Sequence, residues 1–247
     1  QKQRNMTAIF YAFLIVFIMM LLLWMVSLRL RNASIVDPFW GMGFVLTTLL
    51  LIFILGWPSN RFSVAMILLL LIWGIRLSVY LFLRNRGKGE DFRYQAFRKY
   101  YGEERYGWIS LFQVFFLQGA IMVVVMLPVV ALWTKPVFDS VFPGLLGVIL
   151  WGIGFFFEAE GDWQLSRFKA LPENKGKLFT RGLWRMTRHP NYFGESMIWW
   201  GFGLMSLSSG HYWALISPVL MNFLLLRVSG VSMLEKTMKT NKPGYED

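Results

Sequence analysis

The sequence contains no cysteine and only two histidines, His189 and His211. The first absence excludes thiol catalysis, thiolate metal sites and disulfides together. The second leaves too few ligands for a histidine-rich cluster, so no metal site is expected. Charge is also scarce: Asp, Glu, Lys and Arg make up 16% of the 247 residues, against about 25% in ordinary soluble domains. Fourteen acidic residues face 25 basic ones, for a formal charge of +11. Neither a repeat of fixed period nor a low-complexity linker is visible, so residues 1–247 read as one domain.

What is abundant is apolar and aromatic surface, 56% and 18% of the chain. It is gathered into uninterrupted runs of roughly 17 to 25 residues, the length of a helix crossing a hydrocarbon core of about 30 Å. A membrane barrel would alternate polar and apolar residues in strands of about ten. The fold class expected is therefore all-α, a polytopic membrane protein with seven transmembrane helices. The runs are Met6 to Leu28, Asp37-Pro38 to about Trp57, Ser63 to Leu83, Leu111 to Thr134, Phe142 to about Phe168, Pro190 to Ser208, and Tyr212 to Arg227. The first is too long for a signal peptide and is followed by no small-residue cleavage site. Pro128 should kink the fourth.

Apart from Arg76 and Arg227, which lie in or at the ends of spans, assigning each Lys and Arg to a connection gives 19 on one side and four, Lys2, Arg4, Arg61 and Lys135, on the other. The imbalance predicts an outside amino terminus and a cytoplasmic carboxyl terminus. It also accounts for the basic charge by orientation and contact with membrane lipids, with an anionic ligand as the sharper reading and no nucleic acid partner.

Several polar residues sit where a membrane disfavours them. Arg76 lies inside the third run, at a cost of about 2.5–3.5 kcal/mol on insertion scales unless it faces the interior. Tyr80 follows four residues later on the same face. The pair either locks spans together or lines a polar pocket. Asp37 before Pro38 reads as a helix cap or as a carboxylate that orients a substrate group. Glu158 and Asp162 share one face of the fifth run with Lys169, while Glu160 points elsewhere. The segment Gly182–Glu195, GLWRMTRHPNYFGE, is the most informative. Pro190 suits the first turn of the sixth helix, and Arg185 and Arg188 precede that turn, where helix dipole and guanidinium groups together favour phosphate. Asn191 and Glu195 share a face and can bond ribose or carboxamide groups.

RHPNYFGE with GLW upstream resembles the signature of integral-membrane reductases, a group that includes the steroid 5-alpha-reductases, their bacterial relatives and the sterol C14 and C7 reductases. The stretches NASIVDPFWGMGF, WGIRLSVY, RNRGKGEDFRY and LEKTMKTNKPGYED resemble the bacterial branch. The resemblance implies a seven-helix fold in the bacterial inner membrane, most simply a monomer, binding NADPH on the cytoplasmic side and reducing a lipid-like enone. It implies cofactor contacts at Asn85, Lys88, Asp162, Lys169, Asn191, Glu195 and Arg227, alongside Arg188, His189 and Tyr192 in the signature string. Asp37 and Tyr80 stand nearest the groups with which the steroid enzymes polarise a ketone. Tyr80 is then the expected proton donor, Arg76 its tuning neighbour and Asp37 its orienting carboxylate, all three assigned to catalysis. The rival class is a membrane methyltransferase of the isoprenylcysteine or phospholipid type using S-adenosylmethionine, whose members share an Arg-His-Pro-x-Tyr-x-Gly string.

Overall fold

The computed structural model describes residues 2–228, with side chains from residue 7 onward. The tail lysines Lys236, Lys239 and Lys242 and the stretch LEKTMKTNKPGYED lie outside the described residues. The chain gathers into two compact units, Gln1–Val137 and Phe138–Asp247. Among the described residues every regular element is helical.

In the first unit, α1 (Lys2–Leu30), α2 (Val36–Leu55) and α3 (Ser63–Asn85) are followed by α4 (Phe92–Tyr101) and α5 (Glu103–Ser110). A π-helical stretch, Leu111–Phe116, joins α5 to α6 (Leu117–Val125), and the short α7 (Leu127–Val130) ends the unit's helices. Helices α2 and α3 cross at Gly41 and Gly74, where a β-carbon on Gly74 would sit 2.8 Å from the Gly41 carbonyl oxygen. Small residues that let backbones approach this closely are the usual means of packing helices in lipid, where apolar burial gives little drive. Phe44 and Trp73, both fully buried, meet edge to face beside this crossing. The amide of Asn60 ties the α2–α3 turn to the Leu132 carbonyl at 2.7 Å.

The second unit consists of α8 (Val141–Ala170), the short α9 (Leu183–Met186), α10 (Pro190–Leu207) and α11 (Ile216–Phe223), closed by a π turn at Leu224–Val228. Helices α8 and α10 run against each other along their lengths. Glycines spaced by seven, Gly147 and Gly154 on α8 and Gly201 and Gly194 on α10, meet in pairs. A β-carbon on Gly154 would lie 2.6 Å from the Gly194 carbonyl oxygen, and one on Gly147 would lie 2.5 Å from that of Gly201. Spacing by seven keeps one stripe facing its partner when helices pack at a shallow angle.

Among the described residues, five helices are long and apolar enough to cross a membrane: Thr7–Leu30, Ala33–Leu55, Ser63–Asn85, Glu103–Val125 and Val141–Ala170. Large apolar side chains such as Phe10, Phe53, Phe142 and Ile149 are exposed along them, as lipid contact requires. The sixth expected run does form a helix, Pro190–Leu207, but Asn191, Glu195 and its glycines dilute its apolarity. The seventh forms a shorter apolar stretch, Tyr212–Val228.

Three local readings are corrected. The fourth span begins at Glu103 rather than Leu111, because Glu103 and Glu104 occupy a first helical turn, where the dipole favours negative charge. Asp37 is not a cap. Asn32 caps the preceding 3-10 turn, its side chain accepting from the Ser34 N–H at 2.9 Å, and Asp37 sits within the first turn of α2. The break expected at Pro128 falls at Met126, whose φ of −83° and ψ of 4° leave the helix, with Pro128 then placed in the first turn of α7.

Candidate functional site

The close glycine contact of α8 with α10 concentrates acidic groups. Gly194 lies against the backbone of Glu158, so Glu158 and Asp162 are 3% and 4% exposed and sit beside the first turns of α10. Pro190 packs against Gly161, which fixes where α10 begins. The Asn191 side-chain amide donates to Asp162 Oδ1 at 3.4 Å, and its carbonyl oxygen accepts from the Tyr192 N–H at 3.1 Å. Glu195 Oε1 accepts from Trp199 Nε1 at 2.9 Å. His189 and Tyr192 stack with ring centres 5.6 Å apart.

The connection that carries the arginines is pinned from α8. Gln164 Oε1 accepts the Leu183 N–H at 3.0 Å, Gly161 O accepts Trp184 Nε1 at 3.0 Å, and Gln164 donates in turn to Glu160. Arg185, Arg188 and Lys169 are exposed around this arrangement. Chemically, the second unit offers buried carboxylates and an amide that can bond hydroxyl groups, with guanidinium and ammonium groups outside that can bond phosphate. The expected residues Asp162, Asn191, Tyr192, His189 and Glu195 are thus brought together on α8 and α10. Arg227 is exposed in the final π turn.

The remaining candidates fall in the first unit. Arg76 and Arg84 flank the Tyr80 ring, 5.4 and 5.7 Å from its centre. Around it Leu68, Ile72, Ile75, Val79 and Leu83 form a shallow, exposed apolar strip along one face of α3, with Arg76 and Tyr80 beside it. Asn85 accepts from Arg84 Nε at 3.3 Å, and Lys88 is exposed. Asp37 serves a different phenol from the one expected. Its Oδ1 accepts from the Tyr94 hydroxyl at 2.8 Å and its Oδ2 from Arg93 at 3.1 Å, while Gln118 donates to the same hydroxyl at 3.2 Å. Burial and the Asp37 charge push the Tyr94 phenol well above its ordinary range, against the influence of Arg93, so it remains a donor.

Beside it, Glu90 takes both Arg98 nitrogens at 2.9 Å and the Ala33 N–H at 2.7 Å. Sequence reasoning missed Glu90, Arg93, Tyr94, Arg98 and Gln118. A signal was present: Asp91 is a helix cap that accepts the Arg93 N–H at 3.0 Å, and Asp at that position announces a helix.

This ion-pair group predicts acid sensitivity. Burial opposes ionisation of Glu90, but the Arg98 and Ala33 hydrogen bonds outweigh it and hold the carboxyl below 4.5. Such a group stabilises the fold fully above its unfolded value and loses that contribution as pH falls through its folded one. Melting temperature measured from about pH 7 to about pH 3 should therefore drop, and less steeply in Glu90→Gln. An unchanged slope in that variant would place the acid loss elsewhere.

The model of a family described as proteins of unknown function, DUF1295, matches residues 23–247. The chain belongs to that family. A stretch of 64 residues, 26% of this DUF1295 chain, is 38% identical to the "Probable O-methyltransferase ustE" of Ustilaginoidea virens and spans 22% of that protein. No solved structure matches the chain.

Proposed function

We propose that this DUF1295 protein is an integral membrane enzyme that reduces the C=C bond of a lipid-like enone with NADPH, working as a seven-span protein with its amino terminus outside. The observation that carries the reading is the pairing of Asp162 with Asn191 at the start of α10, among buried carboxylates and beneath exposed arginines. That donor set fits a dinucleotide. Asp162, Asn191 and Glu195 suit ribose and carboxamide groups, His189 and Tyr192 offer a flat stacked face, and Arg188 and Lys169 suit phosphate oxygens. Asn85, Lys88 and Arg227 are the more distant candidates in sequence.

NADPH, when bound, supplies a hydride. Delivery of that hydride to the β-carbon of an enone would leave negative charge on the carbonyl oxygen, to be neutralised by a proton. Tyr80 is assigned to stabilise that oxygen and give it a proton, with Arg76 and Arg84 against the ring to hold it in place. The exposed apolar strip along α3 is a surface along which a substrate with a long hydrocarbon body could approach from the lipid. Asp37 leaves this assignment, because Arg93 and Tyr94 take its carboxylate.

Methyl transfer from S-adenosylmethionine is the second reading. It is favoured by the stretch shared with the O-methyltransferase, and carboxylates at Glu158, Asp162 and Glu195 would suit a sulfonium cation.

Mass spectrometry of small molecules released from the detergent-purified protein separates the two. Release of a nicotinamide dinucleotide is expected, and release of S-adenosylmethionine or its demethylated product would reject reduction. Arg188→Ala should weaken NADPH about tenfold more than NADH, the worth of one charge-assisted bond. Equal weakening would remove Arg188 from the 2′-phosphate.

A further inference from the structure

A second polar pocket, of about 130 Å³, lies within the first unit, lined by residues that include Ser27, Leu28, Arg31, Arg98, Glu103 and Tyr106. It sits where the apolar helix Thr7–Leu30 ends and Glu103–Val125 begins, the level at which lipid headgroups meet two of the spans. Its walls are fixed. Glu90 clamps Arg98 through two bonds, and the Arg98 guanidinium lies 4.8 Å above the Tyr106 ring. Trp24 Nε1 donates to the Gly107 carbonyl at 2.8 Å and holds α1 against α5.

One observation points to a ligand. Tyr106 is 1% exposed and its hydroxyl has no hydrogen-bond partner among the described residues, although a buried hydroxyl is nearly always satisfied. Arg31, which also lines the pocket, closes α1 in a left-handed turn at φ 50°, with the Asn32 N–H on the Ser27 carbonyl at 3.1 Å.

We propose that this pocket takes the headgroup of a zwitterionic phospholipid of the phosphoethanolamine type, with Arg31, Arg98 and the Tyr106 hydroxyl as donors to the phosphate and Glu103 as acceptor for the ammonium. Charge decides the class. Arg31 and Arg98 are balanced by Glu90 and Glu103, so a net anion gains little, whereas a headgroup carrying both signs meets both. Leu28, 43% exposed in the lining, offers an apolar surface on which an acyl chain can continue. The proposal does not rest on the reductase reading.

The test exposes the full chain to vesicles of equimolar phosphatidylethanolamine and phosphatidylglycerol, extracts it in mild detergent, and counts retained lipids by native mass spectrometry. Phosphatidylethanolamine should be retained about tenfold over phosphatidylglycerol, since one charge-assisted bond distinguishes them. Glu103→Gln should abolish the preference, while Arg31→Gly and Tyr106→Phe should lower retention. Glycine adopts the Arg31 backbone easily, and phenylalanine removes only the unpartnered hydroxyl, so both variants should fold. Equal retention of the two lipids, or a preference that survives Glu103→Gln, overturns the proposal. Calorimetry on delipidated protein distinguishes the source of the headgroup. Soluble phosphoethanolamine binding as tightly as the lipid would overturn the membrane assignment in favour of a free headgroup.

Discussion

Gly154→Val is expected to be severely damaging to the second unit. Its β-carbon alone would lie 2.6 Å from the Gly194 carbonyl oxygen, 2.8 Å from the Ile198 nitrogen and 2.9 Å from the Met197 β-carbon. Two of these three atoms belong to backbone, which cannot rotate away as a side-chain tip can. Overpacking a filled interior costs about 1–3 kcal/mol and more where backbone must move, equivalent to about 2–4 °C of melting temperature per kcal/mol in a chain of this size. A melt followed in detergent checks the size of the loss, and Gly152→Val supplies the control. Nothing among the described residues lies within 4 Å of a β-carbon at Gly152, two residues along the same helix. Equal melting temperatures for the two variants would mean that the α8–α10 contact is looser than its geometry indicates.

Tyr80→Phe is expected to cut turnover by about 10²–10⁴, the range for loss of a positioned acid, while nucleotide affinity stays at the parent's level. The substitution removes one hydroxyl and keeps the ring beneath Arg76 and Arg84, so a fold defect is not expected to imitate the effect. Turnover within about twofold of the parent would remove Tyr80 from the chemistry and return the arginine–tyrosine stack to a packing role. Tyr94→Phe is the informative companion, because that phenol is committed to Asp37. Activity should follow Tyr80 rather than Tyr94.

Much of this molecule is legible in its sequence because lipid imposes simple rules. Uninterrupted apolar length located the five helices long and apolar enough to cross a membrane, and a proline without a usable N–H marked the start of α10 at the residue where the structure places it. Carboxylates inside apolar helices are costly enough to advertise themselves, which is why Asp162 and Glu195 could be singled out before any contact was known. The partners of Asp37 were not legible. Arg93 and Tyr94 lie 56 and 57 residues away, and nothing in periodicity within one helix connects them. Starting the fourth span at Leu111 failed for a related reason. Charge was read as the end of a membrane helix, when acidic residues in a first turn extend one. The extent of the α8–α10 contact was missed because glycine is usually read as a helix breaker, whereas here its missing side chain is what lets two backbones touch.

The glycine pairs leave the relative register of their helices ambiguous. Sliding α10 along α8 by one heptad, about 10 Å at 1.5 Å per residue, would match Gly161 with Gly194 and Gly154 with Gly201. The small-residue stripe therefore behaves like a ruler with repeated marks, and something else must choose among them. The choice falls to polar pins near the two ends of the pair: Asn191 on Asp162 and the Trp184 indole on Gly161 at one, and the Ser140 N–H on the Ser208 carbonyl at 2.9 Å at the other. The Asn191–Asp162 pair proposed for the cofactor thus also serves to align the two helices that carry it.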